Sequence, residues 1–160
     1  MNKRKLLFDL YLSLGMHGRL GRDVIEQMEE AKKFCKMYNV SYYSPCDDEI
    51  IDPDKIIDAK PNRRRMRHFV RKDDAHVDLS RNLLILTGDK NSSGTLWEAG
   101  RMHYFNRRRI LLVAPKMYRK QLANFSTIKA LKIFSDIEAA VKWVGKNKAR
   151  LRKKTPKRDL

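Results

Sequence analysis

The stretch SSGTLWEAG, residues 92–100, sets a single carboxylate, Glu98, behind two serines, a glycine and a threonine. Ser92, Ser93, Gly94 and Thr95 fall between a largely apolar run, NLLILTGD (82–89), and a helix-compatible run from Thr95 to Asn106. Backbone N–H groups at a helix start, with hydroxyls beside them, form a site for an anion or a sugar hydroxyl. The same letters also have a purely structural reading. Thr95 followed three residues on by Glu98 is a capping box, which satisfies backbone donors and does no chemistry. A second candidate is SLGMHGR (13–19), where Gly15 and Gly18 permit a tight turn close to a ligand and His17 and Arg19 can donate to an anion. Glycine after a first strand also serves simply as a turn. Asp74 and Asp78 stand one helical turn apart on one face, and read locally Asp74 is a surface acid paired with Arg71 or Arg81. His17, His68, His76 and His103 show no zinc spacing with cysteine or acids, so neither a metal nor another cofactor is expected.

The elements that must hold these residues follow from periodicity. KLLFDLYLSLG (5–15) reads as a strand. In GRDVIEQMEEAKKFCKMYN, Val24, Met28, Ala31, Phe34 or Cys35, and Tyr38 share one helical face, with Asn39 as a stop. VSYYSP (40–45) is a short strand, and 46–60 is an acidic, irregular loop with at most one turn after Pro53. Residues 62–80 are helical, with Met66, Phe69 or Val70, Asp73 and Val77 in phase. NLLILTGD and RILLVAPK (109–116) are strands buried on both faces. Residues 117–128 are ambiguous, and ALKIFS (130–135) is a strand. A last helix carries Ile137, Val141 and Val144 inward behind an Asp136 cap. Trp97, Trp143 and the run Met102 to Phe105 read as packing residues. Alternating strands and helices predict an α/β, three-layer sandwich with a mostly parallel, flavodoxin- or Rossmann-like five-stranded sheet. One domain is expected over 1–150, followed by a basic, flexible tail at 151–160. Ligands of such sheets sit where strand ends lead into helices, here 13–19, 44–60, 88–95 and 114–118.

Thirty-six Lys and Arg against 19 Asp and Glu give a net charge of +17 in 160 residues. Such a field selects anionic partners: nucleotides, nucleic acid or an acidic surface. The charge concentrates in 62–74, 107–109 and 142–158. No run reaches the length of a membrane span. The basic, apolar amino terminus invites a signal-peptide reading, but Asp9 interrupts it and no small-residue cleavage site follows. Cys35 and Cys46 read as free thiols in a reducing cytoplasm.

Taken together, the loop Tyr11 to Gly18, Asp74 before the strand that begins at Asn82, the Ser92 to Gly100 element and RRRILLVAPK resemble the nucleoside 2-deoxyribosyltransferase family. The likeness is greatest to its smaller members, which hydrolyse nucleoside 5′-monophosphates. It spans roughly 8–116, with Leu14 where the family has glycine and Gly15 where it has proline or serine. The resemblance implies that Glu98 is the nucleophile on the anomeric carbon and that Asp74 protonates or positions the departing base, with Asp78 the runner-up. Ser92 implies a 5′-phosphate site, helped by His17 and Arg19. Ser13, Gly15, Met16, Ser93, Gly94 and Thr95 complete the expected substrate contacts. The implied activity is cleavage or base exchange at the N-glycosidic bond of a (deoxy)nucleoside 5′-monophosphate through a covalent glutamyl intermediate, in a homodimer or larger assembly. The alternatives are a non-catalytic nucleotide- or nucleic-acid-binding module on the same fold, or a glycosidase acting on a polynucleotide or NAD.

Overall fold

A computed structural model of the chain describes residues 6–16, 18–48, 50–57, 63–86, 93–106, 108–114 and 131–153. Five strands, β1 (Phe8–Leu14), β2 (Tyr42–Tyr43), β3 (Ser80–Leu86), β4 (Arg109–Val113) and β5 (Leu131–Phe134), form one sheet in the order β2-β1-β3-β4-β5. Every pairing is parallel. Among the described residues four helices cover it: α1 (Gly21–Met37), α2 (Arg63–Leu79), α3 (Ser93–Gly100) and α4 (Ile137–Lys153). This is the expected α/β architecture in its flavodoxin-like order. The chain leaves β1 towards β2 and then returns to the other side of β1, so the connection changes direction between β1 and β3. In open sheets of this kind, that switch point, outside the carboxyl ends of the strands, is where ligands bind.

Side-chain alternation along the strands divides the core in two. Leu10, Leu12 and Leu14 of β1, with Leu84, Leu86, Leu111 and Val113, pack under α1 and α4. Tyr11 of β1, with Leu83, Ile85, Ile110 and Leu112, faces Val77 of α2 and Ala99 of α3. Central strands apolar on both faces are what the unbroken runs at 82–86 and 109–113 require. The stop and cap signals read in the sequence operate as written. Asn39 takes a left-handed φ of 52°, and Asp136 Oδ1 accepts from the Ala139 N–H at 2.7 Å.

Two boundaries differ from expectation. β2 shrinks to two residues, and a 3₁₀ turn at Pro45–Asp48 replaces the predicted strand end. The helix expected over Thr95–Asn106 begins earlier, ends at Gly100 and continues as one π-helical turn, Arg101–Phe105. Of the alternatives Phe69 or Val70, Val70 is exposed. The acidic loop is irregular over 51–57, as its sequence implies, and it is held in place. It lies across the start of α1, with Ile57 N donating to Arg19 O at 2.9 Å and Gly21 N to Lys55 O at 2.8 Å. Gly21 is required there, because a Cβ would sit 2.0 Å from Asp52 O. The ambiguous stretch 117–128 lies outside the described residues.

Candidate active site

Tyr11 and Ser13 are odd-numbered residues of β1 and therefore face α3, opposite to their leucine neighbours. α3 follows β3, and Ser13 is in register with Ile85 of that strand. The second turn of α3 thus lies over the carboxyl half of β1 and brings Glu98 onto both hydroxyls. Tyr11 Oη donates to Glu98 Oε1 at 2.8 Å, and Ser13 Oγ donates to Glu98 Oε2. Thr95 Oγ1 lies 3.3 Å from Ser13 Oγ. Ser13 has a single proton and gives it to the carboxylate, so the Thr95 contact is donated by Thr95. The result is an ordered chain of hydroxyls ending on one carboxylate.

This geometry displaces the capping-box reading. α3 starts at Ser93, so Thr95 lies inside its first turn, and the Glu98 carboxylate is spent on two side chains of β1. Glu98 keeps partial exposure as a residue while its carboxylate is desolvated. Burial pushes the carboxyl up to about 7, against the hydrogen bonds from Ser13 and Tyr11, and the charges of Asp73 and Asp74 add to the rise. Tyr11 is fully buried, and burial together with the charges of Glu98 and Asp73 holds its phenol far above the ordinary range. It remains a donor at any working pH.

The two acids predicted on α2 have separate partners. Asp74 accepts from Trp97 Nε1 at 3.0 Å through one oxygen and from Arg101 Nη1 at 3.2 Å through the other. Its ion-pair partner is therefore Arg101, not Arg71 or Arg81. Asp78 takes a two-pronged contact from Arg101, 3.0 Å from Nε and 2.8 Å from Nη2, and a third bond from Asn106 at 3.0 Å. Partial burial works against its ionised form, but Arg101 and Asn106 outweigh that and keep it below the usual range. Asp78 is thus a brace between α2 and the π-helical turn.

The loop after β1 is divided. Met16 keeps the parity of Leu10, Leu12 and Leu14, so it packs on the α1 side with its Sδ 3.4 Å from Cys46 Sγ, away from Glu98. Arg19 directs Nη1 to Gln27 Oε1 at 3.0 Å and to Gly15 O at 3.4 Å, tying the loop to α1. The tight turn uses Gly18, at φ 73°. Gly94 is exposed at the start of α3. Ser93 is the first residue of that helix. His17 and Ser92 lie outside the described residues.

Three groups at the site escaped sequence reasoning in these roles. Tyr11 was part of an apolar strand, and only its shared parity with Ser13 could have placed it on Glu98. Trp97 read as a packing residue but is 54% exposed, its indole held by Asp74. Arg101 had no signal beyond its basic charge. Among the described residues no group of three His, Cys, Asp or Glu could hold a metal ion. A separate cavity of about 170 Å³ lies between α1 and the 46–51 segment, on the opposite face of the sheet.

No protein-family model matches the sequence, and no curated protein matches it significantly. Solved structures do match in shape. A 2-deoxyribosyltransferase from Bacillus psychrosaccharolyticus, described as a biocatalyst for nucleoside synthesis, superposes with a TM-score of 0.62 at 16% identity, over 83% of this chain and 89% of its own. A conserved protein from Enterococcus faecalis gives 0.51 at 16% identity, over 86% and 97%. A CMP N-glycosidase from Clostridium botulinum gives 0.49 at 13% identity, over 88% and 98%. At these identities the likeness establishes a shared fold, that of the deoxyribosyltransferase.

Proposed function

We propose that this chain cleaves or exchanges the N-glycosidic bond of a (deoxy)nucleoside 5′-monophosphate, with Glu98 as the nucleophile. One observation carries the reading: a desolvated carboxylate, oriented by two hydroxyls and paired with no cation among the described residues, stands at the switch point of the sheet. The deoxyribosyltransferase fold supports it.

The ionised Glu98 carboxylate attacks C1′ of the sugar. The C1′–N bond breaks with its electron pair passing to the base, and the base leaves after taking up one proton. A water, or the nitrogen of a second base, then attacks C1′. The ester C1′–O bond breaks, one proton is released, and the carboxylate is restored. Tyr11 and Ser13 hold both oxygens so that attack needs no reorientation of the nucleophile. Asp74 engages Trp97 and Arg101 with its two oxygens and suits the positioning of the departing base better than its protonation. Ser92 and His17 are assigned to the 5′-phosphate on the resemblance alone.

The test is chromatographic detection of free base from a panel of nucleosides, nucleoside and deoxynucleoside monophosphates and NAD. Base release from a monophosphate should fall by at least about 10³-fold in Glu98→Gln, with substrate affinity kept within a few-fold. Undiminished release in that variant would remove the nucleophile assignment. The +17 charge favours a second reading, a non-catalytic nucleic-acid-binding module. Glu98-dependent base release eliminates it.

A further inference from the structure

α1 follows β1 and α4 follows β5, so both helices start at the carboxyl ends of the strands and run back towards the amino ends. They cover the face of the sheet opposite to Glu98. Charge is sorted along their length. The last acid of α1 is Glu30, and the last of α4 is Glu138. Beyond these the chain holds no acid over 31–40 or over 139–151. Those stretches carry Lys33 and Lys36 on α1 and Lys142, Lys146 and Arg150 on α4, all exposed. The two helices meet there. A Cβ on Gly145 would stand 3.0 Å from Tyr38 O, and Lys148 Nζ donates to Asn39 O at 2.7 Å.

Elsewhere cations are matched by acids: Arg22, Lys55, Lys72 and Arg101 each have a carboxylate within 3.2 Å. None of the five exposed cations has an acid partner among the described residues. Cations do collect at helix carboxyl ends to complement the dipole. Lys148 already serves that end of α1, and Lys142 lies only in the second turn of α4. Lys142, Lys146 and Arg150 recur every four residues and form one stripe that rises ~12 Å along the helix. Like charges at this spacing repel and cost the helix stability.

A stripe of uncompensated cations fits a polyanion. Membrane binding by a helix uses its apolar side chains, and α4 turns Val141, Val144 and Leu151 into the core. Single-stranded nucleic acid is held by bases stacked on open rings. The two rings beside the stripe are covered by the protein's own lysines: Lys142 Nζ lies 5.8 Å from the Tyr38 centroid, and Lys132 Nζ 4.7 Å from that of Trp143. RNA duplexes are read through their 2′-hydroxyls, and Asn147, the neutral polar side chain within the stripe, is turned to Trp143 O. Phosphate contact is what remains, and a DNA duplex offers it at twice the linear charge density of one strand.

We infer that the carboxy-terminal halves of α1 and α4 form a docking surface for the phosphate backbone of double-stranded DNA, without base readout. The surface lies across the sheet from Glu98 and does not depend on the glycosidic reading.

The full-length chain should be titrated by fluorescence anisotropy against a fluorescein-labelled DNA duplex of about 20 base pairs, one of its strands, and the RNA duplex of the same sequence. The DNA duplex should bind most tightly, and salt between about 50 and 300 mM should weaken it with a log–log slope of at least about three. Lys142→Gln/Lys146→Gln should cost at least about fivefold near ~100 mM salt and lower the slope by about two, and adding Arg150→Gln should lower it by about one more. Arg22→Gln/Lys55→Gln removes the same charge at the start of α1 and should cost less than about twofold with the slope kept. Glu98→Gln should bind as wild type does. A shallower slope in the wild type, which needs no variant to fold, overturns the inference. So does tighter binding of the single strand, of the RNA duplex or of vesicles with about 30% phosphatidylserine. An equal loss in the Arg22/Lys55 pair overturns it as well. Glu98-dependent base release without duplex binding removes the docking surface and leaves the glycosidic reading. Duplex binding through α4 without base release from any substrate does the reverse.

Discussion

β1 carries a buried acid at its amino end and meets another near its carboxyl end, and the two are treated in opposite ways. Asp9 is 2% exposed. It receives Lys148 Nζ at 2.9 Å and Ser41 N and Oγ at 3.1 and 2.9 Å, with Arg81 at 3.7 Å. Burial alone would raise its pKa, but Lys148 and Ser41 outweigh that and hold it below the usual range. Among the described residues Glu98 receives hydroxyls only and has acids as its charged neighbours, and its pKa rises to about 7. The first site is built to keep a charge quiet and to tie α4, β2 and β3 to the end of β1. The second keeps a charge short of compensation, which costs stability and, on the proposed role, leaves the carboxylate available to attack.

The largest effect expected on this contrast comes from Glu98→Gln. Beyond the loss of base release, it should change stability in a direction set by linkage. The folded pKa lies above the ordinary 4.5, so the native state binds the proton more firmly. Wild-type stability therefore falls as pH rises from about 4.5 through about 7, by up to ~3 kcal/mol. The Gln variant lacks this term. Its Tm should exceed that of wild type by several degrees at pH 8 and converge on it at pH 5. A gap that does not depend on pH would show that the carboxylate is solvated.

Lys148→Met tests the other pole. It strips the cation from a buried carboxylate and should cost about 2–3 kcal/mol in urea unfolding at pH 7. Here the sign is reversed. The folded pKa of Asp9 is depressed, so its contribution is complete above the unfolded value of about 3.8 and is lost as pH falls through the folded one. The variant should approach wild type in acid, and the pH dependence of base release should not move.

Tyr11→Phe addresses the hydroxyls. Removing one donor weakens stabilisation of the charged form, so the Glu98 pKa climbs above about 7. Release should drop about tenfold at pH 6 and recover most of it by pH 9, with the ascending limb of kcat/KM displaced upward. A uniform loss at every pH would mean that Tyr11 only fills space.

The two poles were not equally legible. The apolar runs at 82–86 and 109–113 and the α1 stripe Val24, Met28, Ala31 and Cys35 have the periods of buried elements, and they sufficed for the layers and the parallel sheet. Glu98 was legible because the Ser92–Gly100 pattern marks it, although its local context fits a cap equally well. Its partner Tyr11 was not, since tyrosine inside a strand looks like core and contact with residue 98 needs the β1–β3 register. Asp9 was read only as an interruption of a signal-like run. Its pairing with Lys148 joins residues 139 apart in sequence, which no local pattern encodes. Met16 packs on the α1 side because side-chain parity continues past Leu14, which a reading of the loop motif as a block does not encode.

The smallest effect expected lies between the poles, at Arg101. Its guanidinium spans Asp74 and Asp78 on successive turns of α2, and it sits on the π-helical turn that follows the helix bearing Glu98. A lysine keeps the charge but cannot hold the two-pronged contact to Asp78 and reach Asp74 as well. Arg101→Lys should therefore cost about 1 kcal/mol or less in urea unfolding. The informative readout is kinetic. Asp74 would keep only Trp97, so kcat should fall by a few-fold while KM and the pH limb set by Glu98 stay in place. A matching shift in the pH limb would instead mean that Arg101 compensates the Glu98 charge from a distance, and the contrast between a neutralised and an uncompensated acid would have to be redrawn.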